Sequence, residues 1–442
     1  MKYMDLYRNT QPCACGKVHA SRIRVLVGKG ALEKLIPEIV RLCPPRIFVL
    51  CDVNTYAAAG ERVVVMLDEH GLAYALYVYP DAHLEPDERA VALAKQHLTP
   101  ETHDLVLAVG SGVIGDVAKL LAAESGANYM IVATAPSMDG YASATSSMTV
   151  NGLKVSLPSK CANTIIGDTD ILANAPMEML VSGLGDMLAK YISIAEWRIA
   201  ALVTGEYYCK EIAALVRGAL QRCVDNAEGL TRREDAAVEA VFEGLVLTGV
   251  AMSYAGVSRP ASGVEHYFSH VWDMRGVALG TPVSTHGIQC AVGTLIATEL
   301  YEKLIAMIPD VQKGRGYAER FDKDAWFAQL RDFMGKGAED MIALDAKENK
   351  YDVQKHAARL ARIAELWDEI VDIVRAELLP AKELRALLER IGCPCTASAW
   401  GGKPEELGLT FKATKDIRDK YVLSRLAFDL GVLDELADGL SE

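Results

Sequence analysis

The stretch LVLAVGSGVIGDVAK, residues 105–119, decides the fold. It opens with an unbroken apolar run, short and rich in valine and leucine, as expected of a strand buried on both faces. Gly110, Gly112 and Gly115 follow at once, and the chain then takes on helical composition over Asp116–Glu124. A strand that passes through glycines into a helix leaves free backbone N–H groups and the positive end of the helix dipole at the turn. Glycine lets a phosphate-bearing ligand approach that backbone closely. The spacing fits G-x-G-x-x-G, for which a purely structural tight turn is the alternative reading.

Working outward, the same alternation recurs on both sides. Strands are expected at Ile23–Val27, Arg46–Cys51, Ala75–Tyr79, Leu105–Val109 and Tyr129–Ala133. Between them lie helical patterns at Ala31–Leu42, Glu61–His70 and Asp87–His97. This βαβα order implies a parallel sheet covered by helices. Asn151-Gly152, between Ser147–Val150 and Lys154–Leu157, is a type I′ hairpin signal. Beyond Pro176 strand-like runs cease, and helical stretches such as Asp186–Leu202, Cys209–Asn226, Asp235–Met252 and His356–Glu377 dominate. The expected division is an α/β ligand-binding domain over 1–175 and an all-helical domain over 176–442. The charged segment 305–355 reads as solvated helices, an insertion by its texture.

Composition narrows the function classes. The 442 residues carry 46 Lys+Arg against 59 Asp+Glu, a formal charge of −13. That balance speaks against nucleic acid or an anionic membrane as main partner, while leaving room for a locally positive pocket. No apolar leader is seen in MKYMDLYRNTQPC and no uninterrupted membrane-spanning run follows, so a cytoplasmic location is expected. The ten cysteines show no secretory framework and are expected to stay reduced.

Four groups of residues could carry chemistry. Beside the glycine turn, Asp52 ends a strand, where a carboxylate can accept from a ribose diol or simply cap the next turn. A second loop, Thr134–Ser143, also leaves a strand end and offers hydroxyls and the Asp139 carboxylate. In the helical part, Asp186 is expected to open a helix in GLGDMLAKY, His266 and His270 share one helix face, and His286 precedes the apolar run from Ile288. An aspartate and histidines from separate helices can hold a divalent ion, and the His-x-x-x-His pair is the first choice by spacing. Capping or core histidines are the plain alternative, weakened by three of nine histidines falling within 21 residues. Last, Cys13, Cys15 and His19 form Cys-x-Cys-Gly-x-x-His, an incomplete zinc set that reads more simply as a small reduced hairpin.

With these motifs quoted, the chain resembles the sn-glycerol-1-phosphate dehydrogenases, in the superfamily of dehydroquinate synthase and the iron-containing alcohol dehydrogenases. The resemblance runs from GKGALEKL (28–35) to IRDKYVLSRLAFDLG (417–431), through GSGVIGDVAK, TAPSMDGYASATSSM, GLGDMLAKY, SGVEHYFSH and STHGIQ. The Cys-x-Cys-Gly opening and long helical half resemble its bacterial branch. It implies a dehydroquinate synthase-like fold with a Rossmann-like first domain. It further implies NAD(H) or NADP(H), one Zn²⁺ or Ni²⁺ ion, a phosphorylated polyol substrate and a homo-oligomer. Asp186, His266 and His286 are then the metal ligands, which frees His270 for substrate or proton transfer and sets Asp139, near Asp186, on the substrate hydroxyls. Dinucleotide contacts are implied for Asp52, Gly112, Val113, Ile114, Gly115, Asp116, Thr134, Ala135, Pro136, Ser137 and Ser143. The turn reads GSG where many relatives have GGG, and 305–355 has no placed counterpart. Lys154 and Lys190 are offered for the substrate phosphate. Rival readings are a cyclising lyase like dehydroquinate synthase, for which the loop after Thr134 lacks the expected DSSVGGK-like stretch, a dehydrogenase of glycerol or another polyol phosphate, and a non-catalytic binding protein.

Overall fold

The computed structural model describes residues 11–43, 46–99, 103–150, 153–281 and 283–440. Six strands form one parallel sheet: β1 (Arg24–Gly28), β2 (Ile47–Asp52), β3 (Tyr74–Tyr79), β4 (Leu105–Gly110), β5 (Asn128–Ala133) and β8 (Thr164–Asp168). Their order is β1-β8-β5-β4-β2-β3. β2 pairs with β3 on one side and β4 on the other, so the winding reverses between β2 and β4. In open parallel sheets the crevice outside the carboxyl ends at such a reversal is where ligands bind. Asp52 and Gly110 are the last residues of those two strands. A separate antiparallel hairpin pairs β6 (Thr145–Val150) with β7 (Leu153–Pro158), Val150 opposite Leu153. Its expected turn residues, Asn151 and Gly152, lie outside the described residues.

The sheet residues are apolar because both faces are covered. Val49, Leu107, Val132 and Ile166 pack with Leu35, Ile39, Val63 and Leu67 from helices of one layer, all buried. Burial at about 25 cal/mol per Å² makes this the main stabilising term of the sheet.

The chain divides into two compact units, Met1–Met187 with Glu211–Val257, and Leu188–Lys210 with Ser258–Glu442. The change of texture at Pro176 marks where strands end, whereas the helices Lys210–Asp225 and Asp235–Ala255 return to the first unit. Helical periodicity reports an apolar face but not which core that face meets. Asp235–Ala255 is also the one described helix long and apolar enough to cross a membrane, and most of it is buried within the protein.

The second unit is wholly helical among its described residues. Its core gathers Phe268, Val292, Leu300, Leu330, Phe411 and Phe428. Three expectations need correcting here. Asp186 does not open a helix; it sits near the end of Met177–Leu188, which begins just after Pro176, and the next helix starts at Lys190. Pro176 favours a helix start directly after it, and the apolar residues before Asp186 carry the helix up to it. The stretch His356–Glu377 is two helices, Val353–Glu365 and Trp367–Glu377, broken at Leu366. The segment 305–355 is helical but not simply solvated, since Trp326, Phe327, Leu330, Phe333 and Met341 lie in the core.

Candidate active site and metal centre

In the first unit the glycine turn is built as the sequence requires. Ser111 is the residue before the helix Gly112–Ser125 and does not cap it with its side chain. The amides of Gly112, Val113 and Ile114 therefore open the helix without intrahelical acceptors, while Gly115 N–H donates to Ser111 O at 2.9 Å. A Cβ on Gly110 would stand 2.5 Å from Cβ of Ile114, so the strand passes too close to the helix for any side chain. Ser111 Oγ lies 2.6 Å from Ser137 Oγ, which joins the turn to the second loop. The Asp116 carboxylate is taken by Lys119 Nζ at 2.7 Å, so its part at the turn is fixed by that buried ammonium.

Asp52 serves as the cap of the turn after β2: its Oδ1 accepts from Thr55 N–H at 2.8 Å, and its own N–H donates to Thr55 Oγ1. The capping reading is thus realised; Oδ2 is not part of this cap.

The loop after β5 is clamped from three sides. Thr134, Ala135 and Pro136 are buried, Tyr141 donates to Ala135 O at 2.5 Å, and Ser182 Oγ donates to Ser137 O at 3.0 Å. A Cβ on Gly183 would stand 1.7 Å from Pro136 O, so the helix Met177–Leu188 rests directly on the loop backbone. Lys119 Nζ donates to Gly140 O and Thr145 O, holding the short turn Asp139–Ala142. Asp139 N–H donates to Asp186 Oδ2 at 2.9 Å, and one oxygen from each of the two carboxylates falls within 4.8 Å of the other. Ser143 Oγ lies 2.9 Å from Thr145 Oγ1.

In the second unit, His266 sits in the first turn of Val264–Leu279, and His286 is the first residue of His286–Ile305. The two helices touch closely enough that a Cβ on Gly293 would lie 2.7 Å from Glu265 O. The rings of His266 and His286 stand 5.1 Å apart. Each has its Nδ1 engaged: Glu265 Oε1 accepts from His266 at 2.8 Å, and Ser269 Oγ lies 3.1 Å from that of His286. Such partners fix the orientation of the two rings. His270 is 6.4 Å from His286, centroid to centroid. Burial, reinforced by Arg418, the two neighbouring imidazoles and Lys420, holds His270 neutral well below the ordinary histidine range.

Residues 26–176 match the family model described as iron-containing alcohol dehydrogenase. A glycerol-1-phosphate dehydrogenase (NAD(P)+) of Bacillus velezensis is 31% identical over 283 residues, 63% of this chain and 72% of the relative. One of Methanosarcina acetivorans is 33% identical over 279 residues, covering 63% and 76%. The chain belongs to the glycerol-1-phosphate dehydrogenase (NAD(P)+) family.

Solved structures agree on the fold. A maleylacetate reductase from Agrobacterium tumefaciens aligns over 98% of each chain with TM-score 0.62 and 14% identity. A probable glycerol dehydrogenase from Sinorhizobium meliloti gives 0.57 and 18%, covering 94% of this chain and 97% of its own. Within this dehydrogenase family member, sequence reasoning missed the supports of the histidines. Glu265, Ser269 and Cys290 carry no sequence signal of their own beyond adjacency and helical spacing, yet Cys290 Sγ lies 3.6 Å from His286 Nε2. It also missed Arg418 and Lys420, the cations acting on His270. Of the two lysines named for phosphate, Lys190 is fully buried and donates to Ala261 O at 3.1 Å, while Lys154 lies on the β6–β7 hairpin.

Proposed function

We propose that the chain interconverts dihydroxyacetone phosphate and sn-glycerol 1-phosphate by hydride transfer at C2, using NAD(H) or NADP(H) and one divalent ion. The observation that carries the reading is the paired His266 and His286, their rings 5.1 Å apart and each oriented through Nδ1 by a side chain of the helix Val264–Leu279. Asp186, His266 and His286 are the proposed ligands, a borderline-hard set of two imidazoles and one carboxylate that suits Zn²⁺ or Ni²⁺. A divalent ion there supplies Lewis acidity toward the C2 oxygen, and a bound nicotinamide supplies or accepts the hydride.

The remaining work belongs to this chain. Glu265 and Ser269 keep the two rings in register, so the site is organised before substrate arrives. His270, held neutral by burial and neighbouring positive charge, takes the hydroxyl proton from the alcohol and returns it to the ketone oxygen in reverse. Arg418 and Lys420 supply the positive field for the substrate phosphate. Asp139, tied through its amide to Asp186, faces the substrate hydroxyls. A dinucleotide's pyrophosphate would be held by the open amides of Gly112, Val113 and Ile114, close beside Gly115 and Asp116, with Thr134–Ser137 and Ser143 serving its nicotinamide half. Asp52 offers its remaining oxygen to the ribose, which disfavours a 2′-phosphate and so favours NAD. A cytoplasmic homo-oligomer completes the proposal.

The deciding experiment follows NADH and NADPH oxidation with dihydroxyacetone phosphate, with Zn²⁺ or Ni²⁺ present, and determines the configuration of the product. The sn-1 product with net cofactor turnover supports the reading. Turnover on the unphosphorylated ketone alone, or none with any ion, sinks it.

A further inference from the structure

The hairpin at Cys13–His19 takes no part in the chemistry above, yet it is built like a metal knuckle. Cys13 N–H donates to Lys17 O, and Gly16 N–H donates to Cys13 O, both at 2.9 Å. Gly16 has φ +83°, a left-handed turn that glycine adopts without strain. Pro12 and Val18 form an antiparallel bridge that closes the loop. These bonds fold the turn so that both thiols and the His19 ring converge: Cys15 Sγ lies 3.2 Å from His19 Nε2. One donor atom from each of Cys13, Cys15 and His19 falls within 4.8 Å of the others. Ligand bonds of about 2.3 Å to sulfur and about 2.0 Å to nitrogen put tetrahedral donors roughly 3.5–3.8 Å apart, so only a small contraction is needed.

The hairpin is also anchored. Lys17 Nζ donates to Ala255 O at 3.2 Å, which satisfies a carbonyl at the end of the helix Asp235–Ala255. His19 is buried and packs its ring 5.5 Å from that of Tyr254. Two cysteines near one imidazole on a fixed turn are a soft donor set, which selects zinc over magnesium or calcium.

We propose that Cys13, Cys15 and His19 hold a structural zinc ion that locks the turn of this hairpin, separate from the catalytic ion and independent of the proposed reaction. A closed structural site takes four donors, three of which stand on this hairpin.

The test uses the full chain carrying H266A and H286A together, which removes two proposed ligands of the catalytic ion. Native mass spectrometry is expected to find one zinc per chain, lost when C13S and C15S are added. Cobalt substitution of the H266A/H286A chain is expected to give a thiolate-to-metal charge-transfer band in the near ultraviolet. That band needs no activity and is readable even where the cysteine variants fold poorly. Maleimide labelling of the folded chain should spare Cys13 and Cys15 until a chelator is added. A zinc-free H266A/H286A chain without the cobalt band, or immediate labelling of Cys13 and Cys15, overturns the proposal. Failure of the proposed dehydrogenase activity leaves these readouts unchanged.

Discussion

Glu265 and His266 are neighbours in sequence whose side chains meet, Glu265 Oε1 accepting from His266 Nδ1 at 2.8 Å with both groups buried. Adjacent helical residues normally diverge by about 100°. The contact therefore requires the carboxylate to turn back, and Gly263 N–H, 2.7 Å from the same oxygen, holds it there. Removing the carboxylate frees the ring to rotate. E265A is expected to weaken binding of the proposed metal by about 10–100-fold, the usual cost of losing such a partner. E265Q keeps an acceptor and should lose less. Chelator competition measures both, and equal affinities for wild type and E265A would remove Glu265 from the site.

His266 and His286 differ from His270 in what their loss should do. H266A or H286A is expected to abolish bound metal at the catalytic site and lower turnover by a factor of roughly 10³ or more, as loss of a Lewis acid worth several kcal/mol requires. H270A should retain that metal and lose turnover by about 10²–10⁴, the usual contribution of a general acid–base group. Metal content by mass spectrometry beside kcat separates the cases. Loss of metal from H270A would return it to the ligand set that His-x-x-x-His spacing first suggests.

What a sequence signal encodes sets how much of this fold and site it can disclose. LVLAVG could be read as a buried strand because apolar runs of that length bounded by glycine have few alternatives. The glycine turn was legible for the same reason, and the crowding of Gly110 against Ile114 shows why no other residue serves. Asp186 was misplaced within its helix because an aspartate reads as a start signal, and only packing reveals a buried carboxylate near a helix end. The return of Asp235–Ala255 to the first unit was hidden because an all-apolar helix does not name its partner. Arg418 and Lys420 were missed because they lie about 150 residues from His270, and no periodicity links them.

Lys420 Nζ donates to Ser262 O at 2.7 Å and to its Oγ at 2.9 Å, so the ammonium is held on the stretch just before the His266 helix. Burial, with Arg259 nearby, brings its pKa down to about 7. Phosphate dianion restores the charged form, so binding should tighten as pH falls from about 8 to about 6.5 while the phosphate stays largely ionised. K420M is expected to raise KM for dihydroxyacetone phosphate by about 10-fold or more, with little change for the unphosphorylated ketone. An equal effect on both ketones would place Lys420 in the scaffold instead.

Gly293 is where the two histidine-bearing helices come closest, and its Cβ would stand 2.7 Å from Glu265 O and 3.2 Å from Glu265 Cα. Backbone atoms cannot step aside as a flexible side chain can. G293A should therefore push the helices apart, at about 1–3 kcal/mol of stability, with metal affinity falling because His266 and His286 separate. The check is paired: unfolding midpoint and metal affinity on one preparation. A variant that loses stability alone would show that the ring spacing does not depend on this contact.

Asp416 organises a buried polar cluster in the second unit. Its Oδ2 accepts from Trp326 Nε1 at 2.8 Å, Tyr351 Oη at 2.7 Å and Lys415 Nζ at 2.9 Å. Burial works against the carboxylate, but the Lys415, Arg425 and Lys350 charges overcome it and hold the pKa down at about 2. A folded value below the unfolded one contributes stability that is complete above the ordinary carboxylate range. That contribution is lost as pH falls through about 4 to 2, and amounts to about 2 kcal/mol. D416N leaves Lys415 and Arg425 buried beside a neutral amide, so it should cost about 3–5 kcal/mol near neutrality. Urea unfolding of wild type and D416N, followed by tryptophan fluorescence, should show the gap between them narrowing from pH 5 toward pH 2. A gap that stays constant across that range would mean that folding leaves the Asp416 pKa unshifted, and the assignment of Asp416 as the anchor of this cluster would fall.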